Sequence, residues 1–265
     1  MIEVKNVRKS FADKVVLQNV SAKMSPGKTN LIIGTSGSGK TVLMKIMIGL
    51  LPVDAGEVMY EGRDIIKMAD KELKELRKQI GMLFQGGALF DSKTVENNVM
   101  FPLDMFSSMS ASEKMNRVNE VLERVNLTGV NKKYPSELSG GMKKRVALAR
   151  AIVQNPKYLF CDEPNSGLDP QTSLVIDKLV KEITMEYNIT TVINTHDMNT
   201  VMESGDHIVY MYEGNKQWEG SNKDIIFSKD ERLNAFIFAS EFLEKAKEMS
   251  MLEAGHKDHG GSVRP

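Results

Sequence analysis

Eight consecutive residues near the N-terminus have the types and spacing of a phosphate-binding loop. They are Gly34, Thr35, Ser36, Gly37, Ser38, Gly39, Lys40 and Thr41. Glycines let backbone amides turn towards phosphate oxygens, and the start of a following helix adds the positive end of its dipole. The motif assigns the ammonium group of Lys40 to the β- and γ-phosphates and the hydroxyl of Thr41 to Mg²⁺. An apolar strand precedes the loop and an apolar-faced helix follows it, which is the context that the motif requires.

A second strand-like segment ends in two carboxylates. Tyr158–Cys161 is apolar, and Asp162 and Glu163 follow it directly. Alone the pattern is weak, because a solvated strand end often carries acidic residues. Beside a phosphate-binding loop it predicts that Asp162 holds Mg²⁺ through water and that Glu163 is the general base for an attacking water. The two motifs together indicate hydrolysis of a bound nucleoside triphosphate.

A third motif, Leu138–Met142, opens another helix. Ser139 stands near the N-cap, and Gly140 and Gly141 permit close backbone approach, so this helix start is a second candidate anion site. An ordinary capped helix is the alternative. The run resembles the signature motif of ABC ATPases, which commonly reads LSGGQ. In that family the signature of one subunit covers the γ-phosphate held by the phosphate-binding loop of the other.

The remaining landmarks follow in the order that this resemblance implies. Phe11 resembles the aromatic residue that stacks on adenine, although a buried core position is the alternative. Gln85 resembles the Q-loop glutamine that senses Mg²⁺ and the attacking water, and Asp169 ends a segment that resembles the interfacial D-loop. His196 resembles the switch histidine that contacts the γ-phosphate. Each of these assignments rests on the family, since a single His or Phe in isolation is usually structural.

Two positions depart from the common family pattern. Met142 replaces the usual Gln of the signature, and Asn165 replaces a Thr or Phe that is more common after the catalytic acids. Neither change removes a catalytic group. The sequence therefore predicts an active ATPase with ATP and Mg²⁺ as cofactors.

The subtype is indicated by the segment Gln85–Val99, which is similar to the Q-loop region of ATPases that serve MCE-protein lipid transporters of the Mla type. The basic residues Lys143–Arg145 after Met142 are also frequent there. The resemblance implies a homodimer that powers phospholipid transport between the inner and outer membranes, bound peripherally at the cytoplasmic face of the inner membrane. It implies a separate transmembrane permease, an MCE-domain substrate-binding protein and a small STAS-type regulator as partners. Open alternatives are a solute importer, an ABC ATPase acting on ribosomes or DNA, and an ATPase at the division site.

Composition limits the partners. Lys+Arg and Asp+Glu each number 35 in 265 residues, so the formal net charge is zero, which disfavours broad binding to nucleic acid. The single cysteine excludes an intrachain disulfide. No run reaches the roughly 18–20 apolar residues of a membrane span, and no apolar signal segment opens the chain. At a membrane, the chain is expected to dock on a partner.

The expected fold is α/β, with a RecA-like P-loop core, a small antiparallel β-subdomain from the N-terminal strands and an inserted helical lobe at about 92–151. Apolar segments at Tyr158–Cys161 and Thr190–Asn194, separated by a helix, predict a parallel βαβ unit. The ATPase domain is expected to span 1–225. Residues 226–265 are expected to form a helix from Asp230 to Met249 and a disordered tail.

Two apolar surfaces remain open from sequence alone. The stretch from Gln85 to Phe106, which we expect to be loop-rich, contains many apolar residues: Leu89, Phe90, Val95, Val99, Phe101, Leu103 and Phe106. They could accept an apolar helix of a partner or pack under the helical lobe. The C-terminal helix could cover the ATPase core, a second subunit or a regulator.

Overall fold

The structure is a computed structural model that describes residues 1–12, 14–239, 244, 245, 247 and 249. The strands are β1 (Ile2–Phe11), β2 (Lys14–Met24), β3 (Lys28–Ile33), β4 (Ala55–Tyr60), β5 (Arg63–Asp64), β6 (Ile80–Leu83), β7 (Tyr158–Asp162), β8 (Thr190–Thr195), β9 (His207–Tyr212) and β10 (Asn215–Gly220). The helices are α1 (Lys40–Met47), α2 (Asp70–Arg77), α3 (Val95–Phe106), α4 (Ala111–Arg124), α5 (Gly140–Ile152), α6 (Pro170–Glu186), α7 (Met198–Ser204) and α8 (Glu231–Ile237).

The larger sheet has the strand order β10-β9-β3-β8-β7-β6, in which only β10 runs antiparallel to its neighbour. β3, β7 and β8 are buried along almost their whole length, as apolar and β-branched strands covered on both faces should be. The predicted mixed sheet is confirmed. Its parallel register pairs Ile33 with Thr195 and Asp162 with Asn194, so the three strands end at one edge.

The smaller sheet is antiparallel, with the order β2-β1-β4-β5, and confirms the predicted N-terminal β-subdomain. Helix α1 lies between this sheet and the larger one. Its buried side chains belong to one hydrophobic core, to which both sheets contribute residues. Members of this shared core include Val4, Val58, Leu43, Met47, Phe160 and Val192. The sequence predicts that α1 continues to Pro52, which is wrong: Gly49 adopts the left-handed conformation, which ends the helix.

A second core joins the other face of the larger sheet to α3, α4, α5 and α6. The loop-rich prediction for Gln85–Phe106 is wrong in its second half, where α3 forms. Thr94 caps α3 by accepting a hydrogen bond from the Asn97 amide at 3.4 Å. Asn98 is fully buried and its side-chain amide donates to the carbonyl oxygens of Phe90, Lys93 and Thr94. This asparagine fixes the loop that leads into α3.

The predicted continuous C-terminal helix is wrong. Helix α8 ends at Ile237, and Phe238 and Ala239 are not helical. Leu233, Ile237 and Phe238 are buried in the second core, so this part of the C-terminal segment covers the ATPase core of its own chain. Most of the predicted second half of the helix and the tail at 255–265 lie outside the described residues.

Candidate active site

The predicted phosphate-binding loop runs from the end of β3 into α1 and has room only for glycine at its two ends. A Cβ at Gly34 would lie 2.2 Å from the Met211 carbonyl oxygen, and one at Gly39 would lie 2.7 Å from a Leu17 methyl. Both residues also have positive φ angles, +147° and +102°, which L side chains rarely adopt. The loop backbone is thereby held close against β2 and β9.

Lys40 begins α1, and its ammonium group folds back onto the loop. It donates to the Gly34 carbonyl at 2.8 Å and to the Thr35 carbonyl at 3.0 Å, and the residue is buried. Burial lowers the pKa of Lys40, while the nearby carboxylates of Glu163 and Asp162 act in the opposite direction. A buried ammonium at a helix start is placed to bind an anion.

Ser38 carries a further sign of a ligand. Its hydroxyl is buried and has no hydrogen-bond partner among the described residues. An unpaired buried hydroxyl is costly, and a phosphate oxygen at the loop would satisfy it. The hydroxyl therefore fits the phosphate-binding assignment of the loop.

The two predicted acids lie at the carboxyl end of β7 and contact different atoms of Asn194. Asp162 accepts a hydrogen bond at 3.1 Å from the side-chain amide of Asn194 on β8. The backbone amide of Glu163 donates to the Asn194 carbonyl at 2.9 Å, and Glu163 has a positive φ of 46°. This rare conformation for a glutamate turns the chain away from the strand. Sequence reasoning missed Asn194, whose signal is a polar side chain inside an otherwise apolar strand.

Glu163 brings together the three predicted catalytic side chains. One carboxylate oxygen accepts from the Gln85 side-chain amide at 2.9 Å, and the other lies 3.0 Å from Nδ1 of His196. The Gln85 amide also lies 3.3 Å from the Ser166 hydroxyl. The imidazole of His196 is 62% exposed, so the group faces solvent beside the phosphate-binding loop. The carboxylate is thus oriented by side chains from two other loops.

The signature motif lies apart from this group. Ser139 caps α5 by accepting from the Met142 amide at 3.3 Å. A Cβ at Gly141 would lie 2.4 Å from Cγ2 of Thr172, so the signature backbone packs on the start of α6. In the part of the chain that is described, no hydrogen bond joins Ser139, Gly140 or Gly141 to the phosphate-binding loop. The two candidate anion sites of one chain are separate.

Asp169 and Phe11 have defined surroundings. Asp169 caps α6, because its carboxylate accepts from the Thr172 amide at 3.0 Å and from the Thr172 hydroxyl at 2.5 Å. These hydrogen bonds lower the pKa of Asp169. Phe11 ends β1 with 44% of its surface exposed, so it is not a core residue, and the Lys9 ammonium lies 5.4 Å from its ring centre. The nucleotide contacts of both residues stay predictions.

Lys144 is a further residue of the site that sequence reasoning missed. It lies on α5, is buried, and its ammonium donates to the Gln85 carbonyl and lies 3.5 Å from the Glu163 carbonyl. Burial lowers the pKa of Lys144, with Cys161 and Glu163 acting in the opposite direction. The sequence shows Lys144 only as one of three basic residues after the signature. Its contacts depend on how α5 packs behind the two loops.

The apolar segment after Gln85 contributes to both the core and a groove. Val95, Val99 and Leu103 are buried under the helices. Other members remain partly exposed and line a groove of about 290 Å³. Its walls include Met82, Phe84, Ala88, Phe90, Phe101, Pro102, Phe106, Arg150 and Gln154. Packing under the helices is thus observed for one face of the segment, and acceptance of a partner helix by the groove on the other face stays a prediction.

The groove is tied to the loop that carries Gln85. The Arg150 guanidinium donates to the carbonyl oxygens of Gly87 and Ala88 at 2.7 and 2.8 Å, and lies 5.9 Å from the Phe90 ring centre. A protein segment bound in the groove would therefore contact residues that are hydrogen-bonded to the backbone next to Gln85.

Comparison with known proteins decides the family. The family profile described as "ABC transporter" matches residues 17–166, which include the phosphate-binding loop, Gln85, the signature and both acids. The chain belongs to the ABC transporter family. It is an ABC ATPase, a subunit that binds and hydrolyses ATP. None of its described helices combines the length and the apolar character that crossing a bilayer requires.

Relatives with different named substrates match this ABC ATPase similarly well. It is 37% identical over 237 residues to the intermembrane phospholipid transport system ATP-binding protein MlaF of Haemophilus influenzae, covering 89% of this chain and 90% of that protein. It is 43% identical over 231 residues to the methionine import ATP-binding protein MetN of Carboxydothermus hydrogenoformans, covering 86% and 68%. A probable ribonucleotide transport ATP-binding protein, mkl, of Mycobacterium leprae is 36% identical over 267 residues, covering 96% and 77%.

Among solved structures, the fold matches a dimeric ATP-binding cassette in a post-hydrolysis state bound to ADP and Pi. The TM-score is 0.76 at 33% sequence identity, over 84% of this chain and 99% of that one. This match confirms the predicted P-loop ABC ATPase fold.

A buried carboxylate behind the site gives a prediction about stability. Burial raises the pKa of Asp177 from 3.8 to about 6. Because its folded-state pKa lies above the unfolded value, its contribution to stability is full below pH 3.8 and is lost as pH rises through 6. We expect wild type to lose about 1.4 kcal/mol of unfolding free energy relative to Asp177→Asn between pH 5 and pH 7.5. Urea unfolding of both proteins at these two pH values measures this, and a difference that stays constant with pH contradicts it.

Proposed function

We propose that this ABC ATPase powers phospholipid transport between the inner and outer membranes, as the Mla-type subunit of an MCE transport system. The hydrolytic part rests on one observation, the contact of Glu163 with Gln85 and His196 beside Lys40. The lipid part rests on the Gln85–Val99 segment and on a phospholipid-transport relative that matches along 90% of its own length. The proposal assigns 1–225 to the ATPase domain and about 92–151 to its helical lobe.

In the proposed site, the loop from Gly34 to Thr41 holds the phosphates. The Lys40 ammonium leaves its two carbonyl partners for the β- and γ-phosphates, and the Ser38 hydroxyl gains an acceptor. Glu163 polarises the attacking water and takes its proton. Gln85 and His196 orient the Glu163 carboxylate. His196 lies on the exposed side of the site, from which the γ-phosphate enters.

The donor set fits Mg²⁺. The Thr41 hydroxyl, the Asp162 carboxylate and the Gln85 amide oxygen are oxygen ligands, which Mg²⁺ prefers. Mg²⁺ is usually held by one or two carboxylates together with phosphate oxygens and water, and Asp162 supplies the carboxylate here. When bound, Mg²⁺ would neutralise phosphate charge.

The proposed active unit is a head-to-tail homodimer. Ser139, Gly140 and Gly141 do not bond to the loop of their own chain, so in this proposal they cover the γ-phosphate held by the other subunit. Phe11 stacks on adenine, and Asp169 lies at the subunit interface near the nucleotide. The 33% identical cassette that is described as dimeric and bound to ADP and Pi supports this arrangement. Closure around ATP is a population shift towards a state that has these extra contacts.

The proposed permease contact is the groove beside Arg150. Its apolar walls suit an apolar helix of a transmembrane partner, and Arg150 links it to the Gln85 loop. This docking places the subunit peripherally at the cytoplasmic face of the inner membrane. An MCE-domain protein and a STAS-type regulator complete the proposed assembly, and zero net charge argues against nucleic acid as a partner.

Phe106→Asp is expected to release the permease. Phe106 lines the groove with 51% of its surface exposed, and a carboxylate there would be buried without a partner on docking. We expect permease recovery with the tagged subunit to fall about tenfold or more. Met185→Asp is the matched control, because Met185 is 64% exposed on α6, outside the groove. Equal recovery of permease by the two variants, both folded by circular dichroism, contradicts the groove assignment.

The transported substrate is tested by trapping the complex. Tagged Glu163→Gln protein is extracted from its native membranes in mild detergent, and co-purifying proteins and small molecules are identified by mass spectrometry. An MCE-domain protein with enriched phospholipid supports the proposal. A solute importer's permease, which the 43% identical methionine-import relative makes the second candidate, refutes the lipid part and leaves the ATPase assignment standing.

A further inference from the structure

Three polar side chains form a buried cluster that the proposed mechanism does not use. The Asp177 carboxylate accepts from the Asn165 side-chain amide at 2.8 Å through Oδ1 and from the Thr200 hydroxyl at 2.8 Å through Oδ2. The Asn165 amide also lies 3.0 Å from the Thr200 hydroxyl oxygen. The three residues are 5%, 7% and 0% exposed, in the order Asp177, Asn165 and Thr200. The cluster is therefore almost completely shielded from solvent, and within it the Asn165 side-chain carbonyl oxygen has no hydrogen-bond partner among the described residues.

The cluster connects the two segments that carry the catalytic contact. Asn165 follows Glu163 by two residues, and Thr200 follows His196 by four, at the first turn of α7. The two segments meet in front through the 3.0 Å contact between the Glu163 carboxylate and Nδ1 of His196. They meet behind through Asp177, which stands near the middle of α6. Asp177 thus bridges the loop of the general base to the helix that follows the switch histidine.

Burial of a charged carboxylate at this position lowers the free energy of unfolding. Its acidic neighbours on the adjoining segment are Asp197 and Glu203, and no described cation forms an ion pair with it. The thiol of Cys161 faces it from β7, and burial raises the pKa of that thiol, so it is neutral. Two apolar residues would pack the same space at lower cost, since a buried charge must be offset by its hydrogen bonds. The Asp177 carboxylate instead fixes the relative positions of two hydrogen-bond donors, Asn165 and Thr200, which lie on different segments.

We propose that Asp177 is a positioning residue for ATP hydrolysis, which sets the relative placement of Glu163 and His196 through its hydrogen bonds to Asn165 and Thr200. This inference rests on the proposed roles of Glu163 and His196. It also accounts for Asn165, the departure from the family pattern in the segment after Glu163, since Asn165 supplies the donor that binds Oδ1 of Asp177.

The test compares Asp177→Asn with a matched control, Asp206→Asn. Asp206 is a partly buried carboxylate that, like Asp177, accepts two hydrogen bonds, here from the amide and the hydroxyl of Thr29, but it lies at the opposite end of β3. At pH 8 we expect kcat of Asp177→Asn to fall about tenfold, with KM for ATP within twofold of wild type and no fall in the melting temperature. Asp206→Asn should keep kcat within twofold. A wild-type kcat for Asp177→Asn, or equal losses of kcat in both variants, overturns the proposal.

A pair at Thr200 keeps the proposal testable if Asp177→Asn does not fold. Thr200→Ser retains the hydroxyl that binds Asp177, and Thr200→Val removes it at nearly constant shape. We expect Thr200→Ser to keep kcat near wild type and Thr200→Val to lower it about fivefold at unchanged KM. Equal kcat for the two variants contradicts the proposal. Glu163→Gln, measured in parallel, separates the failures: if it hydrolyses ATP normally, the proposed catalytic roles fail, whereas if only the Asp177 and Thr200 variants are normal, this inference alone fails.

Discussion

Glu163→Gln is expected to bind ATP with wild-type affinity and to lose hydrolysis by a factor of about 10²–10⁴, the usual contribution of a general base. The substitution keeps the size of the side chain and one carbonyl oxygen to accept a hydrogen bond from Gln85 or His196. It removes the basicity that draws a proton from water. Affinity is measured by nucleotide titration, and hydrolysis by phosphate release in a single turnover.

The control for this variant is Glu213→Gln. Glu213 also has a φ of 46°, is exposed, and lies in the turn between β9 and β10. The adjacent Gly214 amide donates to the Ser38 carbonyl of the phosphate-binding loop at 3.3 Å, but the Glu213 side chain makes no hydrogen bond to a described residue of the site. Glu213→Gln should therefore leave both affinity and turnover within twofold of wild type. Wild-type phosphate release by Glu163→Gln would remove Glu163 from the role of general base.

Lys40→Ala is expected to weaken ATP binding by about 100-fold or more, since each hydrogen bond to a charged group contributes about 1.5–3 kcal/mol and this ammonium is assigned to two phosphates. Its burial strengthens the effect, because water does not replace a lost cation well at a desolvated site. Isothermal titration with ATP in the presence of Mg²⁺ measures the change.

Lys45→Ala is the matched control for Lys40→Ala. Lys45 lies on the same helix, α1, but its side chain is exposed. The control removes the same charge from the chain, so it separates a general electrostatic effect from a direct phosphate contact. Affinity losses of equal size in the two variants would contradict the assignment of Lys40 to the phosphates.

Most of the fold could be predicted from the order of the motifs along the chain, for a physical reason. In a parallel sheet the carboxyl ends of neighbouring strands meet at one edge, so a loop after β3, acids after β7 and a histidine after β8 converge. The apolar strands Tyr158–Cys161 and Thr190–Asn194 could be read from composition alone. Their register, which pairs Asp162 with Asn194, could not.

Local patterns failed where tertiary contacts override them. Helix α3 was not predicted, because it contains Pro102 and two adjacent asparagines, which are weak helix formers. In the fold α3 is stabilised by its buried apolar residues, Val95, Val99 and Leu103, and by Asn98, whose three carbonyl partners lie in the preceding loop and at the helix N-cap. The C-terminal helix was predicted as continuous because apolar spacing continues past Phe238, whereas Phe238 and Ala239 interrupt it and the described residues 244, 245, 247 and 249 are helical again.

The contacts that position the catalytic residues from behind could not be predicted from the sequence. Lys144 contacts the carbonyl of Gln85, which is 59 residues away, and Asp177 contacts Thr200 across 23. No spacing rule of a helix or strand connects such pairs. Sequence motifs identify residues that touch the ligand, whereas the residues behind them are recognised only once the packing is known.

In the proposed mechanism two subunits complete each other's site around ATP. The direct measurement is the mass of Glu163→Gln by light scattering, with Mg-ATP and with Mg-ADP, because slow hydrolysis preserves the closed state. The account predicts a species near 29.6 kDa with ADP and one of twice that mass with ATP. It also predicts that Gly140→Arg, which would place a large side chain at the exposed start of the signature helix, stays at the lower mass with ATP. A Glu163→Gln protein that binds ATP and remains at the lower mass at every concentration tested would contradict the account.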